Sequence, residues 1–138
     1  MANVRIAHFS LAVRDLAAAR GFYQAAFGFT AAFEARDLAD RIARMTGRKN
    51  LTCDLVQLRH PETSTILELI RFSEVPADGE GPPPAHLALT VPDLSDADER
   101  VRSHGAERLG EIVTFDDGQA AYYRVPGGSV LELEEVQG

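Results

Sequence analysis

Four residues combine metal-ligating side chains with a repeated spacing: His8, Glu68, His86 and Glu132. His8 lies in Ile6-Ala7-His8-Phe9-Ser10-Leu11-Ala12-Val13-Arg14-Asp15-Leu16. His86 lies in Ala85-His86-Leu87-Ala88-Leu89-Thr90-Val91-Pro92-Asp93-Leu94. The same 78 residues separate His8 from His86 and Asp15 from Asp93. Glu68 and Glu132 lie in Leu67-Glu68-Leu69 and Leu131-Glu132-Leu133, 64 residues apart. Self-similarity of this kind marks a duplicated unit. Each residue alone reads as a polar group on the solvated face of a half-buried strand. The four together read differently, because carboxylates between bulky aliphatic neighbours are costly to desolvate without a compensating cation. Two neutral imidazoles and two carboxylates, with positions left open, suit a borderline divalent ion in five- or six-coordinate geometry.

The elements that position these residues follow from hydrophobic period and punctuation. From Val4 to Val13, Ala7, Phe9, Leu11 and Val13 share one face and Ile6, His8, Ser10 and Ala12 the other, which predicts a strand. Asp15 is placed to cap a helix over 16–27, with apolar members Leu16, Ala19, Phe22, Tyr23 and Phe27, and Gly28 to end it. A short strand is expected over 29–33, then strands over 51–59 and 64–72. Pro, Gly and acidic residues over 76–84 predict a linker. The pattern then restarts, with a strand over 85–91 and a helix over 96–104. Ser95 is the expected cap of that helix, Asp98 its reciprocal partner and Gly105 its end. Strands over 107–114, 119–125 and 129–135 complete the second copy.

The expected fold is therefore α+β: two paired βαβββ modules forming a curved mixed sheet around a metal cleft, within one domain over 1–138. Module one spans 3–75 and module two 85–136. Apolar strand faces pack on the helices, and the mixed faces form the concave surface. The two repeat spacings differ, so the first copy carries about 14 extra residues, which map to 35–50. There Leu38, Ile42 and Met45 share a helical face and Thr46-Gly47 closes it. A helix present in one copy only is not needed by the repeat, and reads as either a lid or pocket wall or a plain surface excursion.

Composition sets the outer limits. The chain has 138 residues, 45% hydrophobic and 25% charged, with a net charge of −7. That balance fits a soluble globular protein and argues against nucleic acid as a partner, whose affinity comes from cationic side chains. No apolar run approaches a bilayer span, and the N-terminal residues enter a strand pattern at once, so no membrane partner and a cytoplasmic location are expected. The single Cys53 reads as a small packed side chain. His60 and His104 are expected in structural roles, in a turn and at a helix C-terminus. Glu34, Gln57, Tyr122, Tyr123 and Arg124 are candidate cleft-lining residues. Glu134 shares the face of Glu132 and is an alternative ligand.

These motifs resemble the vicinal oxygen chelate superfamily, also called the glyoxalase/bleomycin-resistance/dioxygenase superfamily. The matching residues are His8 with Val13-Arg14-Asp15-Leu16, Phe22-Tyr23 through Phe27-Gly28-Phe29, Leu67-Glu68-Leu69, His86 with Val91-Pro92-Asp93-Leu94, and Pro126-Gly127-Gly128 leading to Leu131-Glu132-Leu133. The resemblance implies a divalent metal (zinc, nickel, cobalt, manganese or iron) held by His8, Glu68, His86 and Glu132, and commonly a homodimer. It implies a lyase or isomerase, glyoxalase- or epimerase-like, acting on a small molecule with neighbouring oxygens and stabilising an enediolate or enolate beside a carbonyl. Glu132 or Glu68 would then be the catalytic base. Two His and two Glu are similar to bacterial lactoylglutathione lyase. That enzyme usually has arginine four residues after its first ligand, where this chain has Ala12, and Leu11-Ala12-Val13 is more similar to the methylmalonyl-CoA epimerase branch. Thiol addition, extradiol-type cleavage and metal-free small-molecule binding are the alternatives the superfamily offers.

Overall fold

The computed structural model describes residues 2–74, 85–126 and 130–137. The expected linker over 76–84 and the Gly127-Gly128 turn lie outside them. The elements of the first half are β1 (Arg5–Ala12), α1 (Leu16–Phe27), β2 (Thr30–Leu38), α2 (Asp40–Thr46), β3 (Cys53–Arg59) and β4 (Ile66–Phe72). The second half contains β5 (Ala85–Thr90), α3 (Leu94–Ser103), β6 (Glu107–Arg108), β7 (Val113–Phe115), β8 (Gly118–Arg124) and β9 (Val130–Val136). They form one mixed sheet ordered β2-β3-β4-β1-β5-β9-β8-β6, with β7 also on β8. The parallel pairs β1–β4 and β5–β9 are the two copies of one crossover. The antiparallel pair β1–β5 joins the halves within the chain. No helix among the described residues is long and apolar enough to cross a membrane.

Local chemistry sets the helix ends. The Asp15 carboxylate accepts from the Ala18 amide at 2.9 Å, and Gly28 closes α1 in the left-handed region at φ 76°. At the other copy the cap is Asp93, not Ser95: its carboxylate accepts from the Asp96 amide at 3.0 Å, and α3 begins at Leu94. The repeat spacing already relates Asp93 to Asp15, and the same cap recurs. Asp98 is consequently not a capping partner. It lies on the buried face of α3 and accepts from the Tyr123 hydroxyl at 2.6 Å and from Arg108 at 3.0 Å.

Three apolar clusters fill the two faces of the sheet. Leu16 packs on Val56, Leu58 and Leu69 under α1, while Phe22 and Phe27 stay exposed. Leu94 and Ala97 pack on Ala121, Tyr123 and Leu133 under α3. The third cluster lies on the opposite, concave face. Ile42 and Met45 of α2, each 2% exposed, pack against Cys53, Leu55 and Ile70 of one half and Val113, Ala120, Tyr122 and Val130 of the other. The expected dispensable insertion is thus a wedge inside the concavity. Its Arg44 carbonyl accepts from the Glu111 amide at 2.7 Å. Gly110 lies so close to the Arg44 and Met45 carbonyls that no Cβ fits there. Two boundaries also differ from expectation. β2 runs on to Leu38 through an irregular register with β3, and the strand expected over 107–114 is broken at Leu109–Ile112.

Burial works to raise the pKa of Asp98, but the Tyr123 hydroxyl and the Arg108 and Arg102 guanidinium groups outweigh it and hold the carboxyl below its ordinary range. Its contribution to stability is therefore full above the unfolded-state value of about 4 and fades as the pH falls through the folded-state value. Asp98→Asn is expected to lower the unfolding free energy by about 2 kcal/mol at pH 7. Urea titrations at pH 7 and in acid check this. The wild-type advantage should shrink in acid, and an undiminished advantage would show that the charge is not the stabilising element.

Candidate metal centre

The strand registers bring the four predicted ligands to one place. Ser10 pairs with Glu68 on one side and His86 on the other. Ala88 likewise pairs with His8 on one side and Glu132 on the other. Two parallel rows therefore cross the middle of the sheet, Glu68–Ser10–His86 and His8–Ala88–Glu132. Ser10 and Ala88 stand 78 residues apart, so the duplication places a small residue at the centre of each row. The space above them is walled by the longer flanking side chains.

In that space one donor atom from each of His8, Glu68, His86 and Glu132 lies within 4.8 Å of the others, and all four residues are buried. His86 Nε2 is 3.0 Å from Glu132 Oε1. His8 Nε2 faces Glu132 Oε1 at 3.4 Å and Glu68 Oε2 at 3.6 Å. Both oxygens of Glu68 are fixed: Ser10 donates to Oε1 and the Gln57 amide to Oε2, each at 3.0 Å. Tyr122 closes the floor, with its ring 5.2 Å from that of His86.

The donor set fits a divalent ion. His8 Nε2 is fully buried and has no hydrogen-bond partner, alone in this among the buried side-chain nitrogens and oxygens of the described residues. An orphaned buried polar atom is costly, and here it aims into a ring of carboxylate oxygens. Donors on opposite sides of an ion with bonds of about 2.1 Å are about 4.2 Å apart, so a slight contraction of the ring would complete a shell.

Electrostatics agree with a site short of positive charge. Burial alone would lower the pKa of His8, but Glu132, Glu68 and Glu134 outweigh it and push the imidazole up to about 9. Burial would raise Glu132, yet His8 and His86 hold it well below the ordinary carboxylate range. Glu134 is pushed up to about 9, by burial first and by the neighbouring Glu132 charge second. Burial, reinforced by Glu132 and Glu68, raises Tyr122 well above its usual value, so its hydroxyl stays protonated.

The remaining candidates divide by strand face. Gln57 and Tyr122 reach the centre. Glu34 does not: it lies on the opposite face of β2 and pairs with Arg20 of α1. Tyr123 is also turned away, towards Asp98. Arg124 pairs with Val130 at the margin of the concave face. His60 accepts from the Glu62 amide within its turn, and His104 caps α3, as expected of structural histidines. Cys53 is 2% exposed beneath α2, and burial first, with Glu68 second, pushes its thiol up to about 12, leaving a packed side chain. Glu134 is not within the four-donor ring but lies beside His8 Nδ1 at 3.4 Å. The support of Glu68 by Ser10 was not anticipated, although Ser10 stood on the predicted mixed face.

Comparison with known proteins bears on the fold and the family. No curated protein matches the sequence significantly. Among solved structures, methylmalonyl-CoA epimerase from Mycobacterium tuberculosis superposes with a TM-score of 0.69 at 19% identity, covering 96% of this chain and 88% of that one. A hypothetical protein from Bacillus halodurans gives 0.70 at 17%, covering 99% and 96%. A variant of Streptomyces coelicolor methylmalonyl-CoA epimerase, in complex with 2-nitronate-propionyl-CoA, gives 0.64 at 17%, covering 97% and 98%. At these identities the likeness establishes the fold. The model of the Glyoxalase/Bleomycin resistance protein/Dioxygenase superfamily matches residues 5–133, which takes in both copies of the repeat and all four clustered side chains. The chain belongs to that superfamily.

Proposed function

We propose that this protein is a divalent-metal-dependent lyase or isomerase that removes a proton beside a carbonyl, in the manner of a glyoxalase or an epimerase. The observation that carries this reading is the orphaned His8 Nε2, buried and facing two carboxylates in a two-His, two-Glu ring. His8, Glu68, His86 and Glu132 would hold the ion. A bound divalent ion supplies Lewis-acid stabilisation of negative charge developing on two neighbouring substrate oxygens.

The chain's own residues suggest a division of labour. Glu68 is clamped at both oxygens by Ser10 and Gln57, which suits a fixed donor. The contacts of Glu132 with His8 and His86 both run through its Oε1, so it is not clamped at both oxygens as Glu68 is, which suits the carboxylate that loosens to take up the α-proton. Tyr122 and the α2 wedge exclude water from one side of the ring.

Two expected outcomes test this. Incubation in deuterated buffer with an α-keto thiohemiacetal, or with a 2-substituted malonyl thioester, should wash deuterium into the α-carbon of one of them. Glu132→Gln should slow that exchange by about 10²–10⁴-fold, and Glu68→Gln by less. No washout with either substrate class would refute the enolising chemistry, and equal losses would refute the assignment of roles. Independently, Ala88→Leu should abolish zinc binding without touching any donor, because its side chain would occupy the space above the centre of the His8–Glu132 row. It should cost about 1–3 kcal/mol of stability. Unchanged zinc binding, measured by calorimetry, would place the ion elsewhere.

A further inference from the structure

His8 has two ring nitrogens with different surroundings. Nε2 faces the carboxylates of Glu68 and Glu132, and Nδ1 lies 3.4 Å from Oε1 of Glu134. A neutral imidazole carries one N–H and one lone pair, and only the lone pair binds a metal. Whichever nitrogen holds the hydrogen decides whether Nε2 is a donor at all. A carboxylate beside Nδ1 settles that choice, by accepting its hydrogen and fixing the plane of the ring.

The duplication adds a second, independent observation. The spacing that relates Glu68 to Glu132 relates Ile70 to Glu134. Ile70 is 1% exposed and packs in the apolar cluster under α2. The fold therefore accepts a buried aliphatic residue at this place in the strand. Module two carries a mostly buried carboxyl group there instead, with its Oε1 3.4 Å from His8 Nδ1. Packing gives no reason for a polar group at that position, whereas the neighbouring His8 Nδ1 does.

We infer that Glu134 is a positioning residue for the metal centre: it accepts the Nδ1–H of His8 and so presents Nε2 to the ion. This rests on the metal reading above and extends it beyond the four-donor ring. The pairing is asymmetric between modules, since the corresponding place in module one is Ile70. His8 is thus the histidine whose tautomer is set by a carboxylate contributed from the other module, across β5.

The test uses the full chain and zinc, in competition with a chromophoric chelator, with Glu134→Ala, Glu134→Gln and Glu134→Ile. The isoleucine variant carries the residue that module one already accommodates, so it reports on the site even if the alanine variant folds poorly. Alanine and isoleucine should weaken zinc binding by about 10–100-fold. Glutamine should lose less, because its amide oxygen can accept the same hydrogen. Long-range ¹H–¹⁵N spectra of the zinc-loaded proteins supply the second readout. The wild type should show His8 bound through Nε2 with a slowly exchanging Nδ1–H, kept in Glu134→Gln and lost to fast exchange in Glu134→Ala. Wild-type affinity in the alanine and isoleucine variants would overturn the positioning role and leave the metal site standing. Equal losses in all three with an unchanged Nδ1–H would make Glu134 a direct donor and also overturn it. A wild type that binds no zinc would overturn the metal reading itself and the positioning role with it.

Discussion

The interaction on which this structure depends is the mutual burial of two imidazoles and three carboxylates on one face of a sheet. His8, Glu68, His86 and Glu132 are each less than a tenth exposed, and Glu134 is half-buried beside them. Charges so placed are tolerated only when each is paired, hydrogen-bonded or neutralised. The arrangement meets that demand in part: Ser10 and Gln57 hold Glu68, and His86 holds Glu132. His8 Nε2 faces Glu132 and Glu68 at 3.4 and 3.6 Å without a hydrogen bond, the mark of a site that a cation completes.

The surrounding architecture can be understood as what that burial requires. Edge-to-edge pairing of β1 with β5 sets the two parallel crossovers side by side, so residues from β4, β1, β5 and β9 converge without any loop taking part. Sites built on strands hold their geometry better than sites built on loops. Ser10 and Ala88 keep the centre of the convergence open. Helices α1 and α3 cover the outer face and leave the inner one for chemistry. The α2 wedge then closes one end of the inner face with Ile42 and Met45, and presses Tyr122 beneath His86.

Much of this was legible in the residues. The repeat exposed the four-donor set, because equivalent positions in a duplicated unit share a strand face. Helix α1 was legible to the residue, because Asp15 and Gly28 are unambiguous stops. Failures arose where tertiary contacts override local pattern. Ser95 fits the capping-box pattern with Asp98, but Asp93 inherits the geometry of Asp15 and is the cap. Asp98 looked like a cap partner because its reach across to Tyr123 and Arg108 is invisible at the level of sequence. Glu34 and Tyr123 fell on the wrong face because strand phase is ambiguous near turns and bulges. The place of α2 could not be read at all: the spacing of Leu38, Ile42 and Met45 gives an apolar face, but not which surface that face covers.

On this account His8, Glu68, His86 and Glu132 form one metal site within a single chain. Elemental analysis of the purified protein, repeated on His86→Ala, tests it most directly. The expected result is about one equivalent of a divalent transition metal per chain in the wild type, falling to a small fraction in the variant. A wild type that takes up no such metal, or a His86→Ala protein that retains the full equivalent, would contradict it.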